Sequence, residues 1–257
     1  NYIPGLEDYN APIFLRPRRF GKSLLISMLA HYYDRTKANR FEELFGGTWI
    51  GEHPTEEHNQ YLVIRYDFSA MVMADDMEGV VQNFNDLNCG PVEVTVEHNR
   101  DLFGDFQFTT RGNAVQMLEE LLGYISSHGL PKAYILIDEY DNFTNVVLNE
   151  KGNEIYRAIT HASGFYRDAF KNYKGMFDRI FMIGVSPVTL DDLSSGYNIG
   201  WNISTSPVFN QMLGFSEKDV RTMFQYYKET GQLHGDIEEM ILEMKPWYDN
   251  YCFARQS

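Results

Sequence analysis

The chain has only two cysteines, Cys89 and Cys252, in 257 residues. That excludes a disulfide-stapled fold; one bridge is formally available, and two free thiols in a reducing cytoplasm fit the composition better. No Cys/His spacing of a zinc site occurs. His53 and His58 lie among Glu52, Glu56 and Glu57 in GEHPTEEHNQ, which reads as a solvated polar loop rather than a metal site. No apolar run approaches the roughly 18 residues needed to cross a bilayer, so no membrane segment is expected. No initiator Met or signal peptide opens the chain, and neither NYIPGLE nor CFARQS has the look of a natural terminus, so a piece of a longer protein is expected. Cations are scarce: 22 Lys and Arg stand against 36 Asp and Glu, a formal net charge of −14. Such a surface repels nucleic-acid phosphates unless its basic residues cluster, and no direct nucleic-acid surface is expected here.

What remains is an ordinary globular composition, 44% hydrophobic and 23% charged, with aromatics at a high 15%. The length suits one large α/β domain with a small helical appendage, or two modest domains. Ile13-Phe14-Leu15 reads as a buried strand, and 22–34 as a helix with Leu24, Leu25, Met28, Leu29 and Tyr32 at helical spacing. A short helix and loops follow over 37–60, then a strand over 61–69. The next segment is expected to carry a helix near 75–87 and then a loop or hairpin through PVEVTVEHN. An amphipathic helix over 113–128, a strand over 133–138, a helix over 152–174 and a strand over 179–185 complete an alternation that implies a parallel sheet covered on both faces. A Ser/Gly/Asn-rich loop system with a short strand near 199–204 follows. Two helices close the chain, one from an N-cap at Ser216 to about 230, the other over 236–244 and ended by Pro246. The expected division is an α/β core over 1–206 and a helical lid over 207–257, cut before a further domain.

One basic cluster stands out: Arg16, Arg18, Arg19 and Lys22. Residues 16–23, RPRRFGKS, follow the P-loop (Walker A) pattern GxxxxGK[ST] except that Arg16 replaces the first Gly. The pattern has a mechanism. Backbone N–H groups and a helix N-terminus wrap phosphates, the lysine reaches the β- and γ-phosphates, and the hydroxyl ligates Mg²⁺. The candidate nucleotide contacts are therefore Arg18, Arg19, Phe20, Gly21, Lys22, Ser23 and Leu24. A basic turn capped by Ser23 is the competing reading, and Arg16 counts for it, because a glycine at that position usually supplies an unusual backbone angle.

Tyr134 to Glu139, YILIDE, is four apolar residues followed by two acids. A buried strand that ends in two carboxylates must find them partners, unless it simply emerges into solvent. In P-loop ATPases the first acid of such a (Walker B) strand holds Mg²⁺ and the second activates water, which assigns Asp138 to metal and Glu139 to general base. Asp141 reads as a helix N-cap or a supporting acid. Ser186, at the tip of the strand after the Asp-Glu strand, is placed to sense the γ-phosphate or the attacking water, or is an ordinary turn residue. Asp67 and Ser69 end another strand at the same rim. No Asn-Lys-x-Asp guanine reader occurs, so ATP is the expected nucleotide.

With FLRPRRFGKSLL, YILIDEYDNF, GVSPVTLDDLSSGYNI, FNQMLGFSEKDV and WYDNYCF, the chain resembles the bacterial AAA-ATPase-like family whose members often carry a C-terminal restriction-endonuclease-like nuclease domain. The resemblance implies an α/β three-layer P-loop NTPase with a mostly parallel sheet of the additional-strand type, with the Asp-Glu strand beside the P-loop strand, plus a small C-terminal helical lid. It implies ATP and Mg²⁺ as cofactors, Lys22, Glu139 and Ser186 as catalytic groups, Ser23 and Asp138 at the metal, and Arg16 as a family trait. No nuclease motif is present in these residues. An AAA-type ring would need an arginine at a neighbour's γ-phosphate; Arg157, Arg167 and Arg179 are available, no spacing selects one, and the oligomeric state stays open. A working ATPase, an ATP-binding switch with little hydrolysis, and an interaction module without ligand are the three functions to separate.

Overall fold

A computed structural model describes residues 1–70, 74, 76–142, 145, 147, 177–186 and 200–248. Among them five strands form one sheet in which every pairing is parallel: β1 (Pro12–Leu15), β2 (Leu62–Asp67), β3 (Ala133–Asp138), β4 (Arg179–Gly184) and β5 (Trp201–Asn202), in spatial order β2-β3-β4-β1-β5. The fold is of the P-loop NTPase type expected. β3 is buried at all six positions, as a continuous apolar run in a two-faced parallel sheet should be. One expectation is corrected: the Asp-Glu strand β3 does not lie beside β1, because β4 stands between them. The physical reason is that β3 and β4, successive strands, pair directly, and the apolar β4, buried from Ile180 onward, takes the interior place with a partner on each edge.

Register brings the strand ends into line. Asp67 pairs with Asp138, and Leu15 with Gly184, so the loops leaving β1, β2, β3 and β4 emerge at one rim. The helix α2 (Lys22–Tyr33) buries Leu25, Ile26, Leu29, Tyr32 and Tyr33. Before β1 lies a helix that periodicity did not reveal, α1 (Ile3–Glu7), and after α2 a 3₁₀ turn over Arg35–Arg40 leads to the short helices α3 (Phe41–Phe45) and α4 (Trp49–Glu52).

α5 (Met77–His98) is a single helix of 22 residues that runs through Pro91, where a loop or hairpin was expected. Val80, Phe84, Asn88, Val92, Thr95 and Val96 are buried at helical spacing, so burial of one face outweighs the lost hydrogen bond of the proline and the strand-like alternation of VEVTVE. A short α6 (Arg100–Phe103) follows. α7 (Ala114–Ser127) matches its amphipathic pattern and buries Met117, Leu118, Leu121 and Ile125; Asn113 accepts from the Gln116 N–H as its cap. The helix expected over 152–174 lies outside the described residues, as does Cys252.

The opposite rim of the sheet is closed by Arg179, which pairs with Glu57 and donates to the carbonyls of Glu7 (2.5 Å) and Tyr9 (3.1 Å). Glu57 also accepts from Tyr61, and Glu7 accepts from Thr55 (2.7 Å) and Tyr33 (3.1 Å), so α1 and the loop before β2 are tied to the start of the strands. Glu57 of the GEHPTEEHNQ stretch is thus committed to an ion pair, while the His58 ring bonds the Thr55 carbonyl and packs on Phe41.

The chain divides into two compact units, residues 3–202 and 203–257. In the second, α8 (Glu217–Glu229) is opened by a capping box of Ser216 and Asp219, and it packs on α9 (Ile237–Tyr248) through Arg221, which bridges Glu217 and Glu238. α9 does not stop at Pro246 but continues to Tyr248, since a helix can carry a proline near its end at the loss of one backbone bond.

Leu121, fully buried on α7 against the core, sets a stability test: Leu121→Ala should cost about 2–5 kcal/mol. Urea denaturation should show a lower midpoint at unchanged m-value; a cost well under about 1 kcal/mol would mean that α7 does not seal this core.

Candidate functional site

The chain leaves β1 at Leu15 and returns as α2 at Lys22. Arg16 donates its backbone N–H to the Gly184 carbonyl (3.1 Å) at the end of β4. Its side chain is 2% exposed, with the guanidinium 4.1 Å from the Phe14 ring centroid and Nη1 donating to the Leu15 carbonyl (2.8 Å). Burial pushes its pKa down to about 10. The left-handed backbone that a glycine at this position would supply sits elsewhere: Arg19 has φ 68° and Gly21 φ 87°. Arg16 therefore does not break the turn; the turn is made three and five residues on.

Gly21 is the N-cap of α2 and has no side chain with which to cap it, so the first-turn N–H groups are free of any side-chain cap. Lys22 is 5% exposed, and its Nζ donates to the Pro17 carbonyl (3.2 Å) across the loop. Burial lowers its pKa, against which Glu139, Asp138 and Asp141 pull upward. The ammonium is thus buried, bonded to the loop's own backbone, and within the electrostatic reach of three carboxylates. Arg18, Arg19 and Leu24 are exposed, and Phe20 is half-buried.

Facing the loop, Asp138 is 1% exposed at the end of β3. Its Oδ1 is buried without a hydrogen-bond partner, and the Ser23 side chain lies near the carboxylate. Burial raises its pKa, and Asp67, its register partner on β2, raises it further. Glu139 follows in a left-handed conformation, φ 51°, a strain of roughly 1–3 kcal/mol for a non-glycine residue. The turn is held by Asn142 N–H to the Glu139 carbonyl (2.9 Å) and Tyr140 N–H to the Ile183 carbonyl (3.3 Å). The Glu139 pKa is raised by burial first and by Asp138 second, with Lys22 opposing.

Ser186 sits just past β4, half-buried, at the rim between the loop of β1 and the acids of β3. The structure thus gathers Lys22, Ser23, Asp138, Glu139 and Ser186 at one rim. Two residues were undervalued in the sequence. Asp141 is 2% exposed and accepts N–H groups of the strand β4 exit rather than serving only a local helix cap, and Tyr140, fully buried, donates to the Ser186 carbonyl (2.8 Å). The Glu-x-Asp spacing of Glu139 and Asp141 was the available signal. Of the three arginines considered for a neighbour's γ-phosphate, Arg179 is spent on the opposite rim, and Arg157 and Arg167 lie outside the described residues.

Would this rim accept Mg²⁺? Among the described residues no group of three or more His, Cys, Asp or Glu is placed to hold a metal by protein ligands alone. Magnesium in phosphate sites needs no such cage: one or two protein oxygens suffice, the rest coming from water and phosphate. The buried, unpartnered Oδ1 of Asp138 beside the Ser23 hydroxyl fits that donor set.

A parallel sheet whose rim joins a Gly-Lys-Ser loop to an Asp-Glu strand, with one strand between, defines a P-loop NTPase-like α/β domain. The chain belongs to the AAA-ATPase_like family, described as “Predicted AAA-ATPase”, which matches residues 1–194. It is also similar to an “Uncharacterized protein in vnfD 5'region” of Azotobacter chroococcum mcd 1, 26% identical over 255 residues, covering 94% of this chain and 42% of that protein. The chain therefore spans less than half the length of this curated relative. No solved structure matches it at a significant level. No helix of the described residues is long and apolar enough to cross a membrane.

The electrostatics make a prediction for the ligand-free protein. Both Asp138 and Glu139 have folded-state pKa values above their ordinary ones. Their ionisation thus opposes folding: stability rises as pH falls through the raised values and levels off below the ordinary carboxylate range. Asp138→Asn should raise the Tm of the ligand-free protein at neutral pH, by about 2–4 °C, and flatten that pH dependence. A lower Tm would show that the carboxylate is a net structural support.

Proposed function

We propose that this domain is a Mg²⁺-dependent ATPase of the AAA-like class that couples its nucleotide state to a partner or to an effector domain in a longer protein. The observation that carries this reading is the Asp138 carboxylate at the tip of the acidic strand, its Oδ1 buried and unpartnered and the Ser23 side chain of the loop close by. A basic turn or a strand end in solvent would not bury that oxygen at such cost.

In this reading the N–H groups of residues 18–24 and the Lys22 ammonium bind the phosphates of ATP. Ser23 and Asp138 hold Mg²⁺, which when bound neutralises charge on the β- and γ-phosphate oxygens. Glu139 accepts a proton from the water that attacks the γ-phosphorus, its raised pKa making it a stronger base than an exposed carboxylate. Ser186 orients that water or the γ-phosphate. The two C-terminal helices serve as a lid that reports the nucleotide state, and the effector is a nuclease-like domain. ATP is preferred over GTP for want of a guanine-reading string.

A second reading, an ATP-binding switch with little hydrolysis, draws on the commitment of Arg179 to Glu57, which removes one of the three arginines that could complete the site in a neighbour. Two substitutions separate the readings. Glu139→Gln should keep Mg·ATP binding while steady-state turnover falls by about two orders of magnitude or more. Lys22→Ala should weaken binding in calorimetry by at least about tenfold. Normal turnover in Glu139→Gln removes the base from Glu139, and a wild type without turnover but with tight binding establishes the switch.

A further inference from the structure

The tips of β3 and β4 are joined more tightly than strand pairing requires. The buried Asp141 carboxylate accepts two successive backbone N–H groups at the exit of β4, from Val185 (3.1 Å to Oδ1, 3.2 Å to Oδ2) and from Ser186 (2.7 Å to Oδ2). Asn145, one helical turn on, donates to the same carboxylate (3.2 Å). From the other side the fully buried Tyr140 donates its hydroxyl to the Ser186 carbonyl (2.8 Å) and its backbone N–H to the Ile183 carbonyl (3.3 Å). Both the N–H and the C=O of Ser186 are therefore fixed by the two residues that follow Glu139. The close approach has a sequence requirement: a Cβ on Gly184 would stand 2.4 Å from Asp141 Oδ1 and 2.7 Å from the Tyr140 ring. The Gly184 carbonyl in turn receives the Arg16 N–H at the start of the P-loop (3.1 Å).

We propose that Asp141 and Tyr140 are positioning residues that clamp the Ser186 tip to the Glu139 turn, so that Ser186 and Glu139 act as one unit on the nucleotide; this rests on the ATPase reading of the rim. A carboxylate accepting two N–H groups is a strong and directional anchor, since charge-assisted bonds are about twice as strong as neutral ones. The anchor starts two residues from Glu139, whose left-handed turn already sets the direction of the Asp-Glu tip. Displacing the Ser186 tip by about 1 Å would leave the phosphate loop intact yet spoil the geometry of the chemical step, which is sensitive to such shifts on the order of a hundredfold.

The test is a double-mutant cycle on the whole chain. Asp141→Asn keeps the shape but replaces one acceptor oxygen with a donor. It should lower kcat by on the order of a hundredfold while the Kd for Mg·ATP stays within about threefold. Ser186→Ala should lower kcat by about tenfold in the wild-type background and by less than about twofold in the Asp141→Asn background, because the hydroxyl is already misplaced. A purely structural Asp141 would lower Tm and weaken nucleotide binding, and the Ser186→Ala loss would be the same in both backgrounds; that additivity overturns the proposal. If Asp141→Asn fails to fold, Tyr140→Phe decides, by the same shrinkage of the Ser186→Ala effect. If the wild type binds Mg·ATP but does not turn it over, the ATPase reading fails first and the positioning role falls with it, a result distinct from additivity in an active enzyme.

Discussion

The arrangement depends on one buried carboxylate. Asp138 ends a strand that is apolar and inaccessible along its whole length, and it is itself only 1% exposed. Oδ1 has no hydrogen-bond partner, and the Ser23 side chain of the Gly-Lys-Ser loop lies near the carboxylate. Like charges at Asp67 and Glu139 lie close by. A fold that keeps such a group holds free energy in reserve for a ligand that supplies positive charge and oxygen coordination. Around it stand a buried lysine, a helix opened by a glycine that provides no side-chain cap, and a glutamate in a strained turn.

The interior strand β4 gives this site its width. Because β4 lies between β1 and β3, the loop and the acids approach from either side of its exit, and Ser186 falls between them. The backbone of that exit is bonded in both directions, to Arg16 at Gly184 and to Tyr140 and Asp141 at Ser186. The start of the loop and the turn after the acids are thereby both hydrogen-bonded to a single strand tip.

The α/β alternation, the Gly-Lys-Ser loop, the Asp-Glu strand and the amphipathic helix over 114–127 were legible in the sequence because each is a local pattern: an apolar run, a capped period or a fixed motif. The placement of β4 between β1 and β3 was not, since strand order is a matter of long-range pairing that no local pattern encodes. α5 was misread because Pro91 and the alternation of PVEVTVE speak locally for a break, while the burial of Val80, Phe84, Val92 and Val96 that overrides them is a tertiary fact. Arg16 counts against the loop only if the left-handed residue must occupy the first loop position; Arg19 and Gly21 carry it instead. Asp141 showed its spacing from Glu139 but not its partners, which lie on the next strand.

On the ATPase reading, the rim of the sheet binds ATP through Mg²⁺. Calorimetric titration of the wild-type chain with ATP, with and without Mg²⁺, tests it most directly. Binding should tighten when Mg²⁺ is present and lose that tightening when Asp138 is neutralised to Asn. No heat and no thermal shift at millimolar Mg·ATP, or binding indifferent to both Mg²⁺ and Asp138, would contradict it.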